Sequence, residues 1–306
     1  ANKEYHEGSP RIDRVIYKLI PDTDTLIMAL LKGDLHFLHS ISRDKAILDR
    51  LFAGGIKLTR IDKGTYHQLF LNPQFKPFAD VRVRRAIAHA IDRDTIIEHV
   101  VSGMAEKLNS LVPKGYFGHT EEGLRRYDYD PKKAKELLAE AGYPNGFEVT
   151  LDTFTSAAYL PVAIAIQGQL EKVGVKAKLD VTDQPTWAKK VTSATSLMSL
   201  ILPVRAPDAD FPLTNFFHSS GFTPGQNMMR YNKLDHEIAA GRKEIDPVKR
   251  LKMYHEIQKR LMEDLPAIPL FMFDYPTPHT YQLTGFPMIE PVWGYDFYNL
   301  YFVETK

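Results

Sequence analysis

Apolar and polar positions follow two periods along this chain, and the switches between them outline its elements. Residues 11–20, RIDRVIYKLI, alternate well enough to predict a strand. Asp22 or Thr23 then caps a predicted helix through Leu26, Ala29, Leu30 and Leu31, closed by Gly33. Residues 36–39 are expected to continue as a strand, 43–52 as a helix stopped by Gly54 and Gly55, and 56–61 as another strand. Leu69, Phe70 and Leu71 suit a buried strand that Asn72-Pro73 stops, because proline has no N–H for a ladder. Pro77 is expected to keep the next residues extended. Asp80 is a predicted N-cap, with Val83, Ala86, Ile87, Ala90 and Ile91 at helical spacing behind it, and Asp92 caps a further turn through Thr95, Ile96 and Ile97. A buried strand, a proline-broken crossing and a first helix make the pattern of a hinge between two lobes.

Further along, Asp130-Pro131 places a cap before a proline at the first helical position, where the missing N–H costs nothing. Ala134, Leu137, Leu138 and Ala141 form the apolar face of that helix, which Gly142 ends. The spacing predicts a strand over 147–154, a helix over 157–173 stopped by Gly174, and a strand over 175–181. Strand, helix and strand in this span make a βαβ unit, which crosses right-handed onto a parallel sheet. Residues 197–204 are a further predicted buried strand. Asp246-Pro247 repeats the cap for a helix bearing Leu251, Tyr254, Ile257 and Leu261, ended by Pro266 and Pro269, and the chain is strand-like and aromatic from Phe271 onward.

Length and composition narrow the function classes. At 306 residues the chain fits two lobes better than one core. A net charge of +1 supplies no field for nucleic acid or anionic lipid. No run is apolar enough to span a membrane. With no cysteine, disulfides, Cys-zinc sites and thiol nucleophiles are excluded. His36 and His39 are three apart but have no third ligand at metal spacing, so no metal and no cofactor are expected. Arg82, Arg84 and Arg85 lie beside Asp80 and Asp92 and read as a solvated or bracing face. There is no G-x-S-x-G, P-loop or dinucleotide fingerprint. Asp208 and Asp210 have a spacing open to acid/base work, yet turn chemistry beside Pro207 explains them better, so the chain is not expected to be an enzyme.

One set of motifs is more specific. Asn72 to Arg93 reads N-x-x-x-x-P-F-x-D-x-R-V-R-x-A-I-x-x-A-I-D-R. Upstream stand Y-H-E-G-S-P-R-I-D-R-V-I-Y and L-L-K-G-D-L; downstream stand E-L-L-A-E-A-G-Y, L-E-K-V-G-V-K and E-D-L-P-A-I-P-L. Over essentially the whole chain this resembles the large peptide-type (family 5) solute-binding proteins of bacterial ABC importers. The resemblance implies an α/β fold of the two-lobed, periplasmic-binding-protein-like (type II) architecture. Its second lobe is expected complete over 76–273, and its first partial, over 1–75 and again over 274–306. The chain is thus expected to be the carboxyl-terminal portion of a longer exported protein, since no export signal opens it.

The function so implied is hinge closure of two lobes around a peptide or related small solute, followed by delivery to ABC permease subunits. The protein is expected to be a periplasmic or extracytoplasmic monomer, with no nucleic-acid partner and no membrane insertion. The ligand-sensing half of a transcription regulator, or a hydrolase using Asp208 and Asp210, are the alternatives. The resemblance places Tyr66, His67 and Asn72 along the cleft, with Trp187 and Tyr159 reaching it from the second lobe, although Tyr66 also reads as a core residue with its hydroxyl at the surface. It also aligns Pro207-Asp208 with a turn that follows an acidic residue in peptide-binding relatives. That acidic position falls on Arg205, so charge is reversed and an anionic ligand group is expected there, held by Arg205 beside Asp208; the alternative is that Arg205 lies on a solvated loop or pairs with Asp208 or Asp210 inside the lobe. The stretch follows a buried strand, where open α/β sheets bind ligands.

Overall fold

The computed structural model describes residues 3–39, 41, 43–203, 208–222, 225–286 and 297–303, with the backbone alone at 61–64. In chain order its elements begin with helices α1 (Thr23–Leu31) and α2 (Lys45–Ala53) and strand β1 (Lys57–Leu71). Helices α3 (Lys76–Ala79), α4 (Val81–Ala90) and α5 (Arg93–His99) follow, then β2 (Ala105–Lys107) and α6 (Pro131–Glu140). Next come β3 (Phe147–Phe154), α7 (Leu160–Glu171), β4 (Val175–Thr182), α8 (Gln184–Thr192), β5 (Met198–Ile201) and α9 (Asp210–Phe217). After these stand α10 (Asp235–Lys243), α11 (Pro247–Asp264), β6 (Ala267–His279), β7 (Leu283–Thr284) and β8 (Tyr301–Phe302).

The chain divides into two compact units: Ala1–Lys63, Val101–Met104 and Phe273–Lys306 form one, and Gly64–Val100 with Ala105–Met272 form the other. Both changes of unit near 63 and 272 fall inside strands, β1 and β6, so each passage is extended chain.

In the first unit α1 and α2 bury Ile27, Leu30, Leu48 and Leu51 around Leu38, Ile41, Ile56 and Met104. Asp22 accepts from Thr25 N at 2.8 Å and Asp44 from Ala46 N at 2.8 Å, so both helices start at side-chain caps. The expected strand over 11–20 is absent as regular structure, and Ile16, Tyr17 and Leu19 are exposed. Alternation alone does not make a strand; the ladder needs a neighbour, and none pairs here among the described residues. Residues 36–39 likewise make one antiparallel bridge, Phe37 with His279, and not a strand.

His279 is buried, with Nε2 3.0 Å from the Thr59 hydroxyl and Nδ1 3.0 Å from the Thr280 carbonyl. A carbonyl only accepts, so Nδ1 carries the proton and Nε2 accepts from Thr59, the arrangement of a neutral ring. Burial pushes the ring below its ordinary value of 6.5. Below 6.5 the unfolded chain therefore binds the proton first, and stability is lost as pH falls toward the depressed folded value. The first unit is expected to unfold at lower urea at about pH 5 than at about pH 7.5, and H279Q is expected to flatten that difference. Equal acid sensitivity in the two proteins, read by urea titration, would contradict this.

The second unit is built on the six-stranded sheet, order β2-β6-β1-β5-β3-β4. β3 pairs parallel with β4 throughout, Phe147 with Val175 to Phe154 with Thr182, and parallel with β5 at Leu151–Met198 and Asp152–Ser199. The expected β-α-β unit is therefore β3-α7-β4, with Gly146 in the left-handed region (φ +72) where β3 starts against Gly174. β1 pairs antiparallel with β5, Gln68 with Ile201 to Leu71 with Met198. The two short strands expected over 56–61 and 69–71 are one element of fifteen residues, lying between β6 and β5 in the sheet, since placement between neighbours outweighs the polar stretch between them.

Caps follow the sequence closely here. Asp80, Asp92, Asp130 and Asp246 accept from Arg82, Thr95, Lys133 and Val248 backbone N–H groups at 2.8–3.0 Å. Pro77 differs: it lies in the first turn of α3 and does not hold an extended segment, because that turn needs no proline N–H. Arg84 braces two elements. Its guanidinium donates to the carbonyls of Phe78 and Ala79 at 2.7 and 3.1 Å and to Leu265 at 3.0 Å, and also reaches Asp264 O. Those last two carbonyls belong to the end of α11, where Leu265 adopts the left-handed region (φ 46).

Candidate functional site

Three parallel strands end at one edge of the sheet, and the chain leaving each end carries part of a pocket. Tyr159 follows β3, Trp187 follows β4 on α8, and Ile201 ends β5 with Leu202 and Pro203 just after it. Ala188, Val191 and Thr192 share the α8 face with Trp187, and Phe211, Phe216 and Gln226 complete the lining of a cavity of about 290 Å³. It lies wholly in the second unit, outside the carboxyl ends of the strands, where open α/β sheets bind ligands.

The wall is aromatic and fixed from behind. Phe154 stands 4.4 Å from Tyr159 and 4.8 Å from Trp187 between centroids, and Tyr159 meets Trp187 edge-on at 5.3 Å. Asp183 starts α8 by accepting from Thr186 N at 2.9 Å, which orients the helix one turn before Trp187. Trp187 Nε1 donates to Ser199 Oγ at 2.9 Å, and that hydroxyl donates to the Asp152 carbonyl at 3.1 Å. The Asp152 carboxylate accepts from Ser196 Oγ at 2.7 Å and from Lys190 Nζ at 2.9 Å. Hydrogen bonds to Asp180 first and Asp152 second raise the Lys190 ammonium above its ordinary value, so it stays charged. The ion cluster ties α8 to β3 and β4, and Lys190 and Asp152 are not among the lining residues.

The site residues expected from sequence divide. Trp187 and Tyr159 come together in the pocket wall. His67 stands behind it, fully buried, its Nε2 donating to Ala158 O at 2.7 Å and its ring edge-on to Tyr159 and Phe271. Tyr66, next along β1, points to the other face of the sheet against Tyr116, and burial raises its phenol well above the ordinary value. Asn72 lies at the far end of the same strand. Its amide donates to Ala194 O at 2.9 Å and Ser196 O at 3.0 Å, and its Oδ1 accepts from Gln74 N at 3.0 Å. It stands five positions after His67, about 17 Å along extended chain.

Asp208 is engaged inside the unit: both oxygens meet Arg250, at 2.7 and 3.1 Å, and Oδ1 accepts from Asp210 N at 2.8 Å, the turn chemistry read in the sequence. Asp210 accepts from Thr214 Oγ1 at 3.0 Å and stands 3.6 Å from Arg242. Burial first, and the Asp208 charge second, push the nearby Tyr254 phenol up to about 12. Arg205 lies outside the described residues. The lining residues Val191, Phe211, Phe216 and Gln226 were not anticipated. Val191 stands four residues after Trp187 on a helix, a spacing that could have revealed it; the others arrive by long-range folding. Among the described residues no group of three or more His, Asp or Glu gathers to hold a metal, and no helix is long and apolar enough to cross a membrane.

Residues 1–224 match the family described as bacterial extracellular solute-binding proteins, family 5 Middle. A glutathione-binding protein, GsiB, from Salmonella typhimurium is 29% identical over 305 residues, covering 96% of this chain and 58% of its own length. The periplasmic binding protein DppA of Helicobacter pylori, solved with the peptide STSA, is 27% identical with TM-score 0.82, over 98% of this chain and 59% of that one. MoaA of A. tumefacien R10, solved with mannopinic acid, is 28% identical with TM-score 0.80, over 99% of this chain and 63% of that one. The chain therefore spans about 60% of the length of these relatives, and its mixed α/β fold is that of periplasmic binding proteins.

Proposed function

Since the chain belongs to the bacterial extracellular solute-binding proteins of family 5, we propose that it is the larger part of an ABC importer's substrate-binding component, capturing a peptide or related small solute. The observation that carries this reading is the aromatic cavity at the carboxyl edge of the sheet, a preformed concave site with few polar groups. The relatives support it: by name they hold glutathione, a peptide and mannopinic acid. Their names do not favour a DNA-binding regulator. No covalent step is involved: Asp208 and Asp210 serve a turn and ion pairs, so the protein binds its solute without changing it.

The chain crosses between its units through the extended strands β1 and β6, and those two passages are the hinge of solute capture on this proposal. The closed form then docks on permease subunits outside the cytoplasmic membrane, acting as a monomer. Trp187 and Tyr159 contact the solute, while His67 supports Tyr159 from behind.

Phe211 offers a test that leaves the fold in place, because its ring is 39% exposed at the pocket lining. Phe211→Ala in the intact protein is expected to weaken capture of the solute about ten-fold, which is about 1.4 kcal/mol, with the melting temperature nearly unchanged. The solute is first identified by mass spectrometry of what co-purifies, then titrated calorimetrically. Equal affinity for wild type and variant would remove this pocket from the function.

A further inference from the structure

The pocket also says which part of a solute it can take, an inference that rests on the solute-capture reading. At about 290 Å³ it sits at the small end of ligand cavities, with room for one side chain of a peptide and not for the whole of it. Nine of its described lining residues are apolar or aromatic: Tyr159, Trp187, Ala188, Val191, Ile201, Leu202, Pro203, Phe211 and Phe216. No carboxylate, ammonium or guanidinium is among the described lining residues.

The polar atoms on the α8 wall are already engaged. The Trp187 N–H is given to Ser199, so the indole turns ring surface and no donor toward the space. The Thr192 hydroxyl donates to Ala188 O at 2.9 Å within its own helix. Lys190, three positions after Trp187 on α8, is held by Asp152 and Asp180. Gln226 is exposed and adds a neutral amide to the lining. A charged group entering here would lose water and meet no charged partner among the described residues, which is the costly case for a buried ion. An apolar group would gain contact with four rings, Tyr159, Trp187, Phe211 and Phe216.

We propose that this pocket is a specificity site for an uncharged apolar side chain of the solute, aromatic or branched aliphatic, and that it rejects acidic and basic side chains at the same position. Charged ends of the solute are recognised elsewhere. Val191 lines the pocket from α8 and takes no part in the Trp187–Ser199 hydrogen bond, so a tryptophan there is expected to reduce the space.

The test uses four tripeptides of one length, Ala-Phe-Ala, Ala-Leu-Ala, Ala-Glu-Ala and Ala-Lys-Ala, titrated calorimetrically into the intact protein and into Val191→Trp. Circular dichroism and melting confirm that the variant is folded; if it is not, Ala188→Leu replaces it. The expected result is binding of the Phe and Leu peptides at least about ten-fold tighter than the Glu and Lys peptides, with the gap closing in the filled variant. Binding of all four within about three-fold, or preference for a charged residue, overturns the side-chain preference and leaves solute capture standing. A preference that persists in the filled variant overturns the assignment to this pocket. Failure of all four to bind, while the co-purified solute binds normally, overturns the preference for peptides too; failure of that solute as well overturns capture itself.

Discussion

Trp187→Ala is expected to abolish most solute binding and to cost about 3–5 kcal/mol of stability in the second unit, the range for losing a large buried aromatic. Trp187 is nearly buried, packs on Phe154 and Tyr159, and is the residue through which α8 is hydrogen-bonded to β5. Removing it opens the back of the pocket and frees the Tyr159 wall. On the binding side the loss should reach about 2 kcal/mol, roughly thirty-fold, as for a central aromatic anchor. Two further variants separate the effects. Trp187→Phe keeps a ring but drops the N–H, leaving the Ser199 hydroxyl without that donor, and should retain most stability. Ser199→Ala leaves the indole in place with its donor unmet, and should cost about 1–3 kcal/mol. Solute affinity unchanged in Trp187→Ala, measured on protein shown to be folded, would refute the site.

Arg84→Ala is the second large effect, and it acts on stability alone. The side chain supplies N–H donors to carbonyls of Phe78, Ala79, Asp264 and Leu265, closing both α3 and the end of α11. These are buried or half-buried acceptors that no other residue replaces in the described hydrogen bonds, and the truncation leaves several of them unpaired. With about 1–3 kcal/mol for each group so stranded, and partial relief by water, a net loss of about 3 kcal/mol in urea unfolding is expected. Arg84→Lys should recover less than half, because an ammonium cannot place donors in the planar fork that reaches four carbonyls. Full recovery by lysine would show that charge, not geometry, matters here. Burial lowers the guanidinium below its ordinary value, yet arginine stays charged at every pH at which the protein folds, so the effect should be flat with pH.

Local chemistry was the legible part. An aspartate ahead of a helical apolar pattern is a short-range signal, because the cap and the N–H groups it accepts from are two or three residues apart; Asp80, Asp92, Asp130 and Asp246 all obey it, while α8 behind Asp183 was not read from the sequence. The strand over 147–154 was legible for the same reason, since alternation is a property of neighbouring residues. So was the family, carried by fixed residue types at fixed offsets and matched over residues 1–224.

What pairs with what was not legible. Residues 11–20 alternate as a strand does, but strand formation depends on a distant partner, and those residues stay irregular. Tyr66, His67 and Asn72 all flank the same predicted strand, and Tyr66 reads as a core residue as readily as a cleft one. Only the register of β1 against β5 sends Tyr66 to one face, puts His67 behind Tyr159 and carries Asn72 to the other end. Tyr159 and Trp187, 28 positions apart, meet because β3 and β4 run parallel and end together, and Phe211 joins them from a helix whose placement no local pattern encodes. By itself the sequence determined the caps, the helical faces, the strand cores and the family, all of which depend on residues close along the chain or on type at a given position. Tertiary structure alone decided the edge at which the strands finish, and with it the aromatic pocket, because contacts between residues far apart in sequence depend on how every intervening element packs.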